Sequence, residues 1–202
     1  MSTETIQVVD TKRLFANTRM LVMDIETTGL DRQRDHVIEL GVIEVVDGEI
    51  LRQNCVLFGG GTCSPECVAI HGITDSMRAG EQTFMQKSAS FKRYIEQKAG
   101  DRKTILCGHN IRDFDLPFLL SAAYRAGNPV TPPVDIVDTL RLARRHLRAP
   151  SNRLLDLCAA YGVTYGGHRG LGDSMSCWLL LQIIMQKANI QHINEVVERI
   201  QS

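Results

Sequence analysis

The sequence carries no net charge: 23 Lys and Arg balance 23 Asp and Glu over 202 residues. Proteins that coat long nucleic-acid duplexes by neutralising phosphates are usually basic. The balance therefore speaks against a general nucleic-acid coat, while leaving room for a local basic patch. No targeting or membrane segment is legible either. Residues 1–10 are polar and lack an apolar core region. The most apolar late stretch, 178–185, is interrupted by Gln182 and is far too short for a bilayer. A soluble, cytoplasmic chain with no membrane partner is expected. The six cysteines (55, 63, 67, 107, 158 and 177) form no disulfide framework. Cys63 and Cys67, with His71 as the best third donor, fall short of a four-ligand zinc site, and free thiols are expected. Repeats, low-complexity tracts and linkers are also missing. The length suits one domain, read as a short, loosely ordered leader over 1–18 and a single domain over 19–202.

What is present alternates in type. Short apolar, β-branched runs predict strands at 20–25 and 37–46. Asp47-Gly48 signals a hairpin to a partner strand at 50–58, and a loop opens at Gly59 and runs through Pro65. Helical spacing predicts a helix over 84–98 with Gly100 as its stop, and a strand follows at 104–107. The next helix, 113–126, takes Asp113 as its cap and Pro117 in its first turn, where proline is tolerated. A strand over 134–137 leads to Asp138, a good N-cap, and Asn152 is expected to cap a short helix ending at Tyr161. Gly166-Gly167 reads as a mobile loop before helices over 171–188 and 193–200. A hairpin set followed by alternating strands and helices predicts an α/β fold with a mixed central sheet flanked by helices.

The chemistry begins at Asp24-Ile25-Glu26. Side chains alternate along a strand, so both carboxylates share one face. Two acids together at the end of a buried strand repel unless a cation sits between them, and hard oxygen donors suit Mg²⁺ or Mn²⁺. Alone, the pair is as readily a solvated strand end. Asp115 ends the run from Gly108 to Asp115 and opens a predicted helix; Asp173 ends the run from His168 to Asp173, near another helix start. Either acid could serve only to complement a helix dipole.

Together these segments resemble the DEDDh (DnaQ-like) family of 3′–5′ exonucleases, whose fold is ribonuclease H-like. Residues 24–30, Asp-Ile-Glu-Thr-Thr-Gly-Leu, are similar to the family's first motif, and Phe114-Asp115 closes a segment similar to its second. The interval from His168 to Asp173 has the spacing of the histidine branch. Residues 70–74 and 138–143 are similar to connecting segments of the family, and the resemblance extends over roughly 20–185. Two departures stand out. Gly170 occupies a position that is more usually Ala, which predicts a more flexible loop. Three residues separate Asn110 from Phe114 where bacterial proofreading subunits usually have two, a form more similar to the animal three-prime repair exonucleases.

The resemblance implies that Asp24, Glu26, Asp115 and Asp173 hold two Mg²⁺ (or Mn²⁺) ions. His168 would be the general base, swinging in on its glycine-rich loop once substrate binds. Thr27, Thr28, Gly29 and Leu30 would hold the terminal nucleotide, with Leu30 as a wedge, and Asn110 and His71 are further substrate-binding candidates. The implied substrate is the 3′ end of a single-stranded or frayed nucleic acid, DNA before RNA. A proofreading or repair setting, a DNA polymerase complex and a homodimer are partner states consistent with the family. Independently, Arg141, Arg144, Arg145 and Arg148 fall on one helical stripe near Arg153, either a solvated face or a phosphate track. A non-catalytic module that only binds a 3′ end is the reading from a different class; it has no use for four carboxylates and a spaced histidine.

Overall fold

The computed structural model describes residues 10–133 and 135–199. Six strands form one mixed sheet: β1 (Thr18–Thr27), β2 (Val37–Val46), β3 (Glu49–Leu57), β4 (Lys103–Gly108), β5 (Asp135–Asp138) and β6 (Glu198–Arg199), in the order β3-β2-β1-β4-β5-β6. The hairpin strands β1–β3 pair antiparallel, β4 and β5 continue parallel to β1, and β6 closes the edge antiparallel to β5. Among the described residues seven α-helices accompany it: α1 (Thr11–Leu14), α2 (Pro65–His71), α3 (Phe84–Glu96), α4 (Asp115–Arg125), α5 (Thr139–His146), α6 (Leu154–Tyr161) and α7 (Gly170–Lys187). The mixed sheet between helices is the fold the sequence predicts.

Strand β1 is central, and its alternation sends side chains into two different cores. Leu21, Met23 and Ile25 join Phe91, Phe118 and Leu119 under α3 and α4. Met20 and Val22 join Trp178, Leu181 and Ile184 of α7. Asp24 and Glu26 continue that second face at the strand's end, and they alone in β1 are not fully buried. The parity of one strand thus delivers both acids to the N-terminus of α7.

That helix comes unusually close. Gly41 pairs with Asp24 across the ladder. A Cβ on Gly41 would lie 1.9 Å from the Gly170 carbonyl carbon, and one on Gly170 would lie 2.7 Å from the Gly41 nitrogen. The glycine at 170 therefore serves a backbone-to-backbone contact, not the loop flexibility expected of it. Gly166 is similar: a Cβ there would meet Gly172 and Asp173 within 2.4 Å. It is wedged against the helix start.

Several local expectations change. The segment before β1 is not loose throughout. Asp10 caps α1 and Phe15 is fully buried against Trp178, at 4.7 Å between ring centroids; residues 1–9 lie outside the described residues. Residues 65–71 form α2, capped by Ser64. Helix α4 starts at Asp115, with Phe114 and not Asp113 at the cap position; Asp113 is exposed. Arg153, not Asn152, precedes α6, and the Asn152 carbonyl is hydrogen-bonded to His109 Nε2 instead. The expected last helix is a 3₁₀ turn, Ile193–Glu195, followed by β6. The sheet edge at β5 captures this short segment before a helix can propagate; Ile200 lies outside the described residues, as does Val134 at the predicted start of β5. No helix among the described residues is long and apolar enough to cross a membrane.

Candidate active site

Three elements converge on the end of β1. Asp115, the first residue of α4, is buried and accepts a hydrogen bond from the Ile25 amide at 3.1 Å, which ties it between Asp24 and Glu26. Asp173, in the first turn of α7, is buried too, and its Oδ1 has no hydrogen-bond partner. His168, two residues before α7, is exposed in the left-handed region at φ +55°. Ligand atoms of Glu26, His168 and Asp173 lie within 4.8 Å of one another. The structure thus brings together all four predicted acids and the predicted base.

Their electrostatics are those of an uncompensated cluster. Burial first, then repulsion from Asp115, Glu26 and Asp173, holds the Asp24 carboxyl well above its usual range. Burial and repulsion from Asp173 and Glu39 push Glu26 up to about 8. Burial lifts Asp115 to about 7, against the hydrogen bond from Ile25. Burial also lifts Asp173 to about 6, while His168 and the Tyr165 hydroxyl act the other way. Four buried or half-buried carboxylates, one with an orphaned oxygen, fit hard divalent cations: the ions would satisfy lone pairs, offset the burial that raises all four pKa values and cancel the mutual repulsion felt by Asp24 and Glu26.

The substrate-binding candidates divide. Leu30 is 84% exposed, so its side chain contributes little packing. The Thr27 hydroxyl donates to the Gly29 carbonyl, and the Thr28 hydroxyl donates to Asp35 while accepting from the His36 amide. These hydroxyls shape the turn instead of facing a ligand. A Cβ at Gly29 would lie 2.5 Å from the Asp35 carboxylate, which would have to give up its place beside Thr28. Asn110 takes φ +75°, and its amide donates to Asp138. His71 is buried at the end of α2, and its Nδ1 accepts the Ile73 amide at 3.0 Å. Burial lowers its pKa, so the ring is neutral at pH 7 with its proton on Nε2, and that donor has no partner.

Beside the acids opens a cleft of about 650 Å³, whose lining includes Asp24, Asp173, His168, His109, Arg144 and Leu155. Only part of the predicted arginine stripe faces it. Helix α5 ends at His146, so Arg148 lies beyond the helix. Arg141 pairs with Glu198 and Arg153 with Asp156. Arg144, Arg145 and Arg148 are exposed. The cysteines are free thiols, and among the described residues Cys63 and Cys67 join no group of potential metal ligands.

The sequence profile of the RNase T family, described as exonuclease, matches residues 21–181. The chain belongs to this exonuclease family. It is 30% identical over 180 residues to the DNA polymerase III subunit epsilon of Escherichia coli, covering 84% of this chain and 71% of that one. It is 28% identical over 190 residues to a PolC-type DNA polymerase III of Pediococcus pentosaceus, covering 88% of this chain. The chain spans only 12% of that polymerase's length. Among solved structures, E. coli Exonuclease I in complex with a dT13 oligonucleotide superposes with TM-score 0.72 at 19% identity over 85% of this chain and 42% of that one. Exonuclease X in complex with 5′ overhanging duplex DNA superposes with TM-score 0.63 at 23% identity over 84% of this chain and 93% of the other. These likenesses carry the ribonuclease H-like fold.

Within this RNase T family chain, Glu39 and Tyr165 beside the acids are not singled out by the sequence patterns, and Asp138 does more than the cap expected of it. Glu39 is fully buried and holds Arg169 and the Gly170 amide. Tyr165 lines the cleft, its ring edge-on to His168 at 5.6 Å. Asp138 caps α5 as expected, yet it also accepts the amides of Asn110 and Arg112, pinning the loop that leads to Asp115. One signal exists for Glu39: an acid in the apolar run 37–46.

Proposed function

We propose that this chain is a metal-dependent 3′–5′ exonuclease that hydrolyses the terminal phosphodiester of a single-stranded or frayed DNA end and releases nucleoside 5′-monophosphates. The observation that carries this reading is the convergence of Asp24, Glu26, Asp115 and Asp173 on one site with His168 at ligand distance from two of them. The four carboxylates would hold two Mg²⁺ or Mn²⁺ ions, which when bound polarise a water and stabilise negative charge on the leaving 3′ oxygen. A ring nitrogen of His168 takes the proton of the attacking water. Asp115, fixed by the Ile25 amide, keeps its carboxylate aimed between the two acids of β1. His71 stays a substrate-binding candidate through its unpartnered Nε2–H, which is shut from solvent here and would reach a sugar or phosphate oxygen of the terminal nucleotide only once its cover moved. Leu30, whose side chain is exposed, would wedge against a base.

DNA is favoured over RNA by the relatives: the epsilon subunit and PolC enzymes are DNA polymerase III components, and Exonucleases I and X were solved with DNA. The epsilon and PolC relatives favour work beside a DNA polymerase. The second reading, an exoribonuclease, differs only in contact with a 2′-hydroxyl. The test uses single strands of DNA and RNA labelled at either end, with Mg²⁺ or chelator, beside Asp24→Asn. Stepwise loss from the 3′ end that needs metal and Asp24 supports the reading, and the faster polymer names the substrate. Strand binding without cleavage under Mg²⁺ or Mn²⁺ would instead make the chain a 3′-end-binding module.

A further inference from the structure

Glu39 is the third residue of β2, fully buried and directly across the ladder from Glu26. A buried carboxylate is costly, and packing alone gives no reason for it; a hydrophobic residue of similar size would avoid the desolvation. What it does hold is specific. Arg169 reaches Oε1 with Nε at 3.1 Å and with its terminal nitrogen at 2.7 Å, and Nε lies 3.2 Å from Oε2. The Gly170 amide donates to Oε2 at 2.6 Å. All of these donors come from the two residues that immediately follow His168.

The other flank of His168 is also fixed. Gly166 is wedged against Gly172 and Asp173, and the Tyr165 ring meets the imidazole edge-on. His168 itself is exposed and in the left-handed region, a conformation uncommon for a non-glycine residue although histidine enters it more readily than most. The segment is therefore fastened on both sides of the imidazole, and on the C-terminal side the polar fastening is one carboxylate in the sheet, beside the Gly41–Gly170 contact.

We propose that Glu39 is a positioning residue: through the Arg169 fork and the Gly170 amide it fixes His168 over the site before substrate arrives. The histidine then need not swing in from a mobile loop. This inference rests on His168 being the general base.

Arg169→Lys, which keeps the charge and loses the fork, and Glu39→Gln are each made alone and combined with His168→Ala. Hydrolysis of a 3′-labelled single strand is followed with Mg²⁺, and thermal melting and strand affinity are measured in chelator. Each latch variant is expected to lower kcat by about tenfold or more, with KM within about twofold and strand affinity unchanged. In the His168→Ala background, whose own activity is already low, the latch variants should lose nothing further. An equal loss with and without His168 overturns the proposal while leaving the base assignment intact. A fully active His168→Ala overturns both. Full activity of Arg169→Lys overturns the proposal alone, and this half-exposed position decides the matter if Glu39→Gln does not fold.

Discussion

Gly41 and Gly170 meet backbone to backbone, and this contact sets how close Asp173 comes to Asp24. Gly41 is the ladder partner of Asp24, and Gly170 opens the helix that carries Asp173. Neither has space for a Cβ, but Gly41 has far less: its Cβ would fall 1.9 Å from a main-chain carbon that cannot rotate away. Gly41→Ala should push the start of α7 off the sheet and destabilise the protein by about 1–3 kcal/mol, as overpacking does. Activity should fall further than stability, because the acids separate. Thermal melting with a 3′-end assay checks both; a Gly41→Ala protein that melts and cuts like the parent would show that the contact is slack.

The raised carboxyl pKa values make stability depend on pH in an unusual direction. Glu26 at about 8, Asp115 at about 7 and Asp173 at about 6 hold protons in the folded state that the unfolded chain releases near pH 4. The folded state binds more protons, so without metal its stability should fall as pH rises from about 4 to about 8. Divalent ions replace those protons and should flatten the decline. Melting temperatures in chelator and in Mg²⁺ across this range test it, and a flat profile in chelator would mean that the folded protein does not hold these extra protons.

Asp24→Asn separates repulsion from function. Asp24 feels Asp115, Glu26 and Asp173 together, so removing its charge relieves strain in the metal-free protein. The variant should melt higher in chelator at pH 8, by about 2–4 °C for a gain of about 1 kcal/mol in a chain of this size. It should also lose most of the Mg²⁺-induced shift and nearly all hydrolysis. A variant destabilised in chelator would place the value of Asp24 in packing.

Much of the fold and site is legible in the sequence because the signals are local. The alternation of β1 that puts Asp24 and Glu26 on one face follows from strand geometry, and Asp138 announces its helix by residue type. The close contact of Gly41 with Gly170, and the capture of Arg169 by Glu39, join residues about 130 positions apart, and nothing in either segment alone names its partner. The glycine at 170 even points the wrong way, since a missing Cβ serves loop freedom and close packing equally. The last segment departs from expectation for a related reason. Its spacing permits a helix, but Glu198 is taken by Arg112 and Arg141 at the sheet edge.

The arginines near the cleft should act on binding alone. Arg144 lines the cleft and Arg148 is exposed beyond the end of α5. Changing both to alanine should weaken single-strand affinity and reduce the slope of log K against log salt by about 1.4, near 0.7 for each phosphate left without its arginine. Arg141, already held by Glu198, should contribute less. Fluorescence anisotropy in chelator at several salt concentrations reads both quantities, and an unchanged slope would make these arginines a solvated face.

Leu30 offers the sharpest division between stability and activity. Its side chain is 84% exposed, so Leu30→Ala removes almost no buried area and should leave the stability within about 0.5 kcal/mol of the parent. If the side chain wedges between the terminal base and its partner, the loss should depend on the substrate. A single strand, already unstacked, needs little wedging, whereas a paired end must be opened before its 3′ nucleotide reaches Asp24 and Glu26. Leu30→Ala should therefore lower turnover of a blunt duplex several times more than that of a single strand. Equal losses on both would recast Leu30 as a simple contact to the terminal sugar or base, and no loss on either would remove it from the substrate path.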